Sequence, residues 1–194
     1  MRGFRLVRHF QLIASGVDVL PLVHAVQRQP ELFNRSKFRT TFENTPHGEI
    51  EDILIRFSDP SIARDGDTAA VMADGNCVWH EAAAALPQAR TLILDVMRRL
   101  EAYAVDRIVI TRLRPGGRIL PHADNEGAYV HDPHRHRYHV VLQGLPGSMY
   151  RTGDETVCMR TGEVWHFDAL TEHSVENNST DSRIHMLVDL RIMP

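Results

Sequence analysis

The sequence predicts a mainly β protein: a jelly roll or other double-sheet barrel with helices packed on its outside. Three observations predict it. Hydrophobic periodicity changes from helical to two after residue 104. Eight or so short strand-like segments then follow at close intervals. The breaks between them, PGG, LPG, TGD, TG and NNSTDS, have turn compositions. Helix-like stretches come first in the chain and strand-like stretches after, which places the helices on the outer faces of a sheet sandwich.

The elements follow in order. Residues 17–29 read as a helix, with Leu20, Val23, Ala25 and Val26 on one side and Pro21 in the first turn. Residues 31–49 are polar and turn-rich. EDILIRFS (51–58) alternates as a strand, and 59–76 is a loop rich in Asp and Gly. Residues 88–104 form the clearest amphipathic helix, with Leu92, Val96, Leu100 and Tyr103 at helical spacing. The strands are DRIVITRL, GRILPHAD, RYHVVLQG, SMYRT, ETVCMR, EVWHFD, EHSVEN and SRIHMLVDLRI. The 194 residues make one domain, with a mixed N-terminal portion over 1–104 and a barrel core over 105–194.

Composition narrows the function. Hydrophobic residues are 43% and charged residues 24%, the balance of a folded globular protein rather than a disordered or fibrous one. A net charge of −3 gives no basic field, so no nucleic-acid partner is expected. No apolar run approaches the length of a membrane span, and polar residues interrupt the N-terminal apolar stretch where a signal peptide needs continuity. The expectation is a cytoplasmic protein without membrane partners. Cys77 and Cys158 form no CxxC motif, which fits a reducing compartment. Histidine is the oddity: of 12, five (His122, His131, His134, His136, His139) fall within 122–139.

Spacing sharpens that oddity into chemistry. His122 and Asp124 stand two apart in PHAD, and residues i and i+2 of a strand share a face. His173 follows in TEHSVEN. Two histidines and one carboxylate form the facial set of non-haem Fe(II) oxygenases. Arg183 lies ten residues after His173 across the turn NNSTDS, a spacing that allows neighbouring antiparallel strands. It shares a strand face with His185, Leu187 and Asp189, while Ile184, Met186, Val188 and Leu190 make the opposite, apolar face. Burying that arginine requires an anionic partner, and a dicarboxylate ligand would supply one.

TRLRPGGRILPHAD, RYHVVLQG, GEVWHFDALTEHSVEN and SRIHMLVD together resemble the aspartyl/asparaginyl β-hydroxylase family, a branch of the Fe(II)- and 2-oxoglutarate-dependent dioxygenases. The resemblance covers about residues 105–192. It implies a double-stranded β-helix, the cupin-like jelly roll. It implies iron held by His122 and His173 and a distal 2-oxoglutarate carboxylate held by Arg183. Thr111 falls where the family often has a serine that helps that carboxylate. His139 would touch the co-substrate near the metal, and Arg137 co-substrate or substrate. Some animal members have glycine in place of Asp124; here the carboxylate completes a triad of His122, Asp124 and His173. The implied reaction uses O2 and 2-oxoglutarate to hydroxylate an unactivated C–H bond. The substrate would be an aspartyl or asparaginyl residue of a peptide, or a small amino-acid-like molecule.

The other residues sort less sharply. His131, His134 and His136 read as solvated loop residues, substrate contacts or a second metal site. His166 points outward if Trp165 points inward, and His185 shares the Arg183 face. Arg39, His47 and Arg56 are substrate-side candidates, and Trp79 is core or pocket wall. Arg112 and Arg114 alternate away from Thr111, which argues against a substrate role for them. Two other classes stay open: a cupin-like metalloenzyme without 2-oxoglutarate, for which nothing requires Arg183, and a non-catalytic jelly-roll binding module.

Overall fold

The computed structural model describes residues 9–37, 39–40, 44–62, 71, 76–124 and 132–193. Two antiparallel sheets face each other. The larger has seven strands in the order β1 (Phe10–Ala14), β9 (Val164–Phe167), β6 (Arg135–Gln143), β11 (Arg183–Ile192), β4 (Ala102–Leu113), β2 (Ile50–Ser58) and β3 (Cys77–Trp79). The smaller has β5 (Arg118–His122), β10 (His173–Asn177), β7 (Ser148–Thr152) and β8 (Glu155–Val157). This is the predicted double-stranded β-helix barrel.

Alternation along the large sheet divides two cores. Ile108, Ile110, Tyr138, Val140, Ile184, Met186 and Val188 point outward, under α1 (Leu20–Gln27), α2 (Ala82–Ala85) and α3 (Pro87–Arg99). Helix α3 seats Ala89, Leu92, Ile93 and Val96 there. Each large apolar side chain so buried contributes about 1.5–3 kcal/mol. Ile50, Leu113, Val141 and Phe167 point inward and meet Ile119, Tyr150 and Val175 of the small sheet. The inward face of the central strands also carries the polar residues Asp52, Thr111, His139, Arg183, His185 and Asp189, all buried.

Three expectations need correction. The helix expected over 88–104 ends at Arg99. Glu101 turns the chain at φ 53°, and Ala102 and Ala104 then pair with Ile192 and Arg191. Those backbone groups find ladder partners that a further helical turn would have denied to β11. Second, the N-terminal portion supplies strands β1 and β3 as well as β2, and β2 is interior to the sheet between β4 and β3. Third, His173 and Arg183 do not sit on neighbouring strands. β10 belongs to the small sheet and β11 to the large one. The NNSTDS corner crosses between them, held by Asn177, whose side-chain amide donates to the carbonyls of Leu113 and Asp181. The PGG turn is anchored at the same corner: Gly116, at φ 79°, donates to the Asn177 carbonyl at 2.7 Å.

Candidate metal and co-substrate site

His173 of β10 is paired with His122 at the end of β5, and their rings lie 4.2 Å apart. Each ring is fixed from behind. The Nδ1–H of His122 donates to the Leu120 carbonyl at 2.8 Å, and that of His173 to the Thr171 carbonyl at 3.0 Å. Both therefore present an unprotonated Nε2, the tautomer a metal needs. Asp124 lies just past the end of β5 rather than within the strand, as the period-two argument had it. Its backbone N–H is tied to the Ala169 carbonyl at 2.9 Å, which brings Oδ1 to 3.7 Å from His122 Nε2. Donor atoms of His122, Asp124 and His173 all lie within 4.8 Å of one another, the one such group among the described residues.

Electrostatics keep the set ready for a cation. Burial pushes the His173 imidazole down to about 4, so it is neutral at ordinary pH. Burial alone would raise Asp124, but the Arg137 guanidinium and the neighbouring imidazoles hold it well below the usual carboxylate range. Two imidazoles and one carboxylate suit Fe(II).

These residues line a cleft of about 360 Å³ together with Arg39, His47, Ile50, Thr111, Arg137, Tyr150 and Arg183. Arg183 is 1% exposed. No carboxylate contacts it among the described residues. Its Nη2 is 3.0 Å from His185 Nδ1, and the Tyr150 ring lies 5.2 Å from its Cζ. Its Nη1 is buried without a hydrogen-bond partner. A fully buried guanidinium with an idle donor calls for an anion, so the donor set fits both the metal and a dicarboxylate.

Because arginine can only donate, His185 Nδ1 accepts and its proton sits on Nε2. His139 Nδ1, 3.2 Å from the same nitrogen, must then donate to it. His139 Nε2 is left as a buried bare acceptor. Burial, then Arg183, pushes both imidazoles well below their ordinary range. His139 thus stands behind Arg183, against Tyr150 and Phe167, and is not among the cleft-lining residues.

Arg137 is placed differently. Its Nε and Nη2 grip the buried Asp189 at 2.8 and 3.0 Å, and Nη1 bonds Asp124 Oδ2. It lines the cleft while tied to the candidate metal ligand. Tyr150 and Asp189 were not singled out as site residues from sequence. Ser148, Tyr150 and Thr152 alternate on one face of SMYRT, and Asp189 stands at period two from Arg183; those were the available signals.

The remaining candidates separate. Arg39 and His47 line the cleft, and the His47 ring packs edge-on against His122 at 4.7 Å. Arg56 does not reach the cleft: it lies over Trp79, and its Nε donates to the Val105 carbonyl. Trp79 is 55% exposed, neither core nor wall. Arg112 and Arg114 pair with Glu51 away from the cleft. His131 lies outside the described residues, as does most of the stretch before it. His136 is in β6 rather than a loop, and its ring lies tilted against that of His166, which faces away from the cleft with Tyr138. His134 and His136 belong to no metal-capable group among the described residues.

Residues 55–192 match the aspartyl/asparaginyl beta-hydroxylase family. An L-proline cis-3-hydroxylase from Streptomyces sp. is 30% identical over 90 residues, covering 45% of this chain and 31% of that protein. An L-proline cis-4-hydroxylase from Rhizobium meliloti is 30% identical over 95 residues, covering 48% and 32%. The chain thus spans about a third of the length of these relatives. A solved prolyl hydroxylase from Trichoplax adhaerens, in complex with a hypoxia inducible factor peptide fragment, superposes with a TM-score of 0.59 at 10% identity, over 94% of this chain and 83% of its own, a likeness of fold. With the match spanning most of its length and carrying the triad and Arg183, this chain belongs to the aspartyl/asparaginyl β-hydroxylase family.

Proposed function

We propose that this protein is an Fe(II)- and 2-oxoglutarate-dependent hydroxylase. The observation that carries the reading is the pairing of an open His122–Asp124–His173 donor set with a buried, anion-less Arg183 in one cleft. Fe(II) and 2-oxoglutarate, when bound, supply oxidative decarboxylation to succinate and CO2 with transfer of one oxygen atom from O2 to a C–H bond. His122, Asp124 and His173 would hold the metal. Arg183 would clamp the distal co-substrate carboxylate through charge-assisted bonds, with Thr111 and Tyr150 beside it. His185 would hold the guanidinium from behind, and Ile50, Ile119 and Phe167 would keep water away from the reacting groups. A cupin-like enzyme without 2-oxoglutarate leaves the buried Arg183 unexplained.

The proline-hydroxylating relatives favour a free amino acid. An aspartyl or asparaginyl residue is the second reading, favoured by the family match. Anaerobic titration with Fe(II) and 2-oxoglutarate tests the function. A visible charge-transfer band and metal-dependent 2-oxoglutarate binding are expected. Absence of metal-dependent binding would overturn it.

A further inference from the structure

The family match begins at residue 55, yet the cleft wall includes Arg39, His47 and Ile50 from the preceding segment. Strand register shows which end of the cleft they serve. Arg183 is opposite Leu113, which is opposite Ile50; His185, Thr111 and Asp52 form the next inward level. Leu187, Val109 and Leu54 follow, and then Asp189 with Arg137. From Arg183 to Asp189 is about 20 Å at the usual strand rise. Arg39 hangs between Asp52 and Phe57: its Nη1 bonds Asp52 Oδ2 at 2.9 Å, and its Cζ lies 5.9 Å from the Phe57 ring. It is therefore displaced from the Arg183 end toward the Arg137 end. It lines the same cleft as His47, which packs on His122.

Arg39 is a built group, not a stray surface cation. It is 9% exposed, and its carbonyl accepts from the Thr45 hydroxyl at 2.9 Å. Asp52, its one carboxylate partner among the described residues, is 2% exposed and anchors it from the sheet. Arg39 lines the cleft with one nitrogen committed to Asp52, and the sole acidic lining residue, among those described, is Asp124. An arginine fixed at one nitrogen by a buried acid presents its remaining edge for planar, two-point recognition of a carboxylate. Because Asp52 already balances its charge, the fitting ligand is net neutral, such as a zwitterion.

We propose that Arg39 is the subsite for the α-carboxylate of a free, net-neutral α-amino acid substrate, at the end of the cleft away from Arg183. This rests on the hydroxylase reading above. The test is binding to the Mn(II)-loaded protein with 2-oxoglutarate under argon, read by calorimetry. The probes are the free proteinogenic L-amino acids, each paired with its α-carboxamide. At least one net-neutral amino acid should bind, and its carboxamide should bind about tenfold to hundredfold more weakly, as expected for losing charge-assisted bonds. Arg39→Met should abolish that preference and leave 2-oxoglutarate affinity within about twofold of wild type, well below the tenfold cost of a lost charged contact. The double variant Arg39→Met/Asp52→Asn removes the buried pair together and serves if the single variant folds poorly. A wild type that binds 2-oxoglutarate but no amino acid, or a double variant that keeps the acid-over-amide preference, overturns the subsite alone. A wild type that binds no 2-oxoglutarate overturns the hydroxylase reading beneath it.

Discussion

The two ends of the cleft each carry a guanidinium on the same inner sheet face, and they are built in opposite ways. Arg183 is sealed in, with a neutral imidazole and a phenol as neighbours and one donor idle. Arg137, 19% exposed at its side chain, is gripped by Asp189 and Asp124. A buried cation held by neutral groups raises the energy of the empty site and lowers that of the anion-bound one. A cation whose donors grip two carboxylates, as those of Arg137 do, holds its neighbours in place instead. The difference points to co-substrate capture at the Arg183 end and to positioning of Asp124 at the Arg137 end.

The strongest way to break this contrast acts on the candidate metal ligands that share the cleft with both arginines. His122→Ala or His173→Ala should abolish 2-oxoglutarate turnover; full activity in either variant would remove the metal assignment. Next come the arginines. Arg183→Met should weaken 2-oxoglutarate binding about hundredfold, the upper range for a lost charged contact, with little or no loss of folding stability. Arg137→Met should instead destabilise the protein by about 3 kcal/mol, because Asp189 stays buried beside a missing partner. Denaturant melts and calorimetry on the two variants measure both quantities, and the same stability change in both would erase the contrast.

A smaller effect is expected at His185. His185→Phe removes the acceptor that orients Arg183 and should weaken 2-oxoglutarate binding about tenfold, one charged hydrogen bond's worth. His185→Gln, which keeps an acceptor, should recover most of it. Equal affinity in the two variants would remove the positioning role.

The last effect is graded by pH. Burial lowers His173 to about 4 and depresses His47, His139 and His185. Folded-state values below the unfolded one mean that unfolding takes up protons. Stability should therefore fall as pH drops from 6.5 toward 4, by about 1.4 kcal/mol per pH unit for each such imidazole. Urea melts of the metal-free protein across that range should show the slope, and a flat profile would contradict the buried neutral imidazoles.

The barrel was legible in the sequence because period-two alternation and turn compositions are local. Ile184, Met186, Val188 and Leu190 could not alternate with Arg183, His185 and Asp189 without making one apolar and one polar face. The pair His122 and Asp124 was legible because two residues apart is a local relation, although Asp124 lies past the end of β5 and is placed by its bond to Ala169 rather than by strand alternation. Other readings failed where locality ends. Strand β1 lies in a segment with no clean alternation, and its place beside β9 depends on residues about 150 positions away. The end of α3 was misplaced because the pairing of Ala102 and Ala104 with the far end of the chain overrides helical periodicity.

Sequence by itself therefore determined the inventory: a sheet sandwich, a His–Asp–His donor set and an arginine able to meet a carboxylate. Tertiary structure alone decided how these face one another. Crossing between sheets put Arg183 across the cleft from His173 rather than beside it. Burial left Arg183 without an acid and gave Arg137 two. The register of β2 against β4 carried Arg39 toward the end opposite Arg183. Counter-ions and desolvation depend on what lies nearby in space, and a linear order of residues does not contain that information.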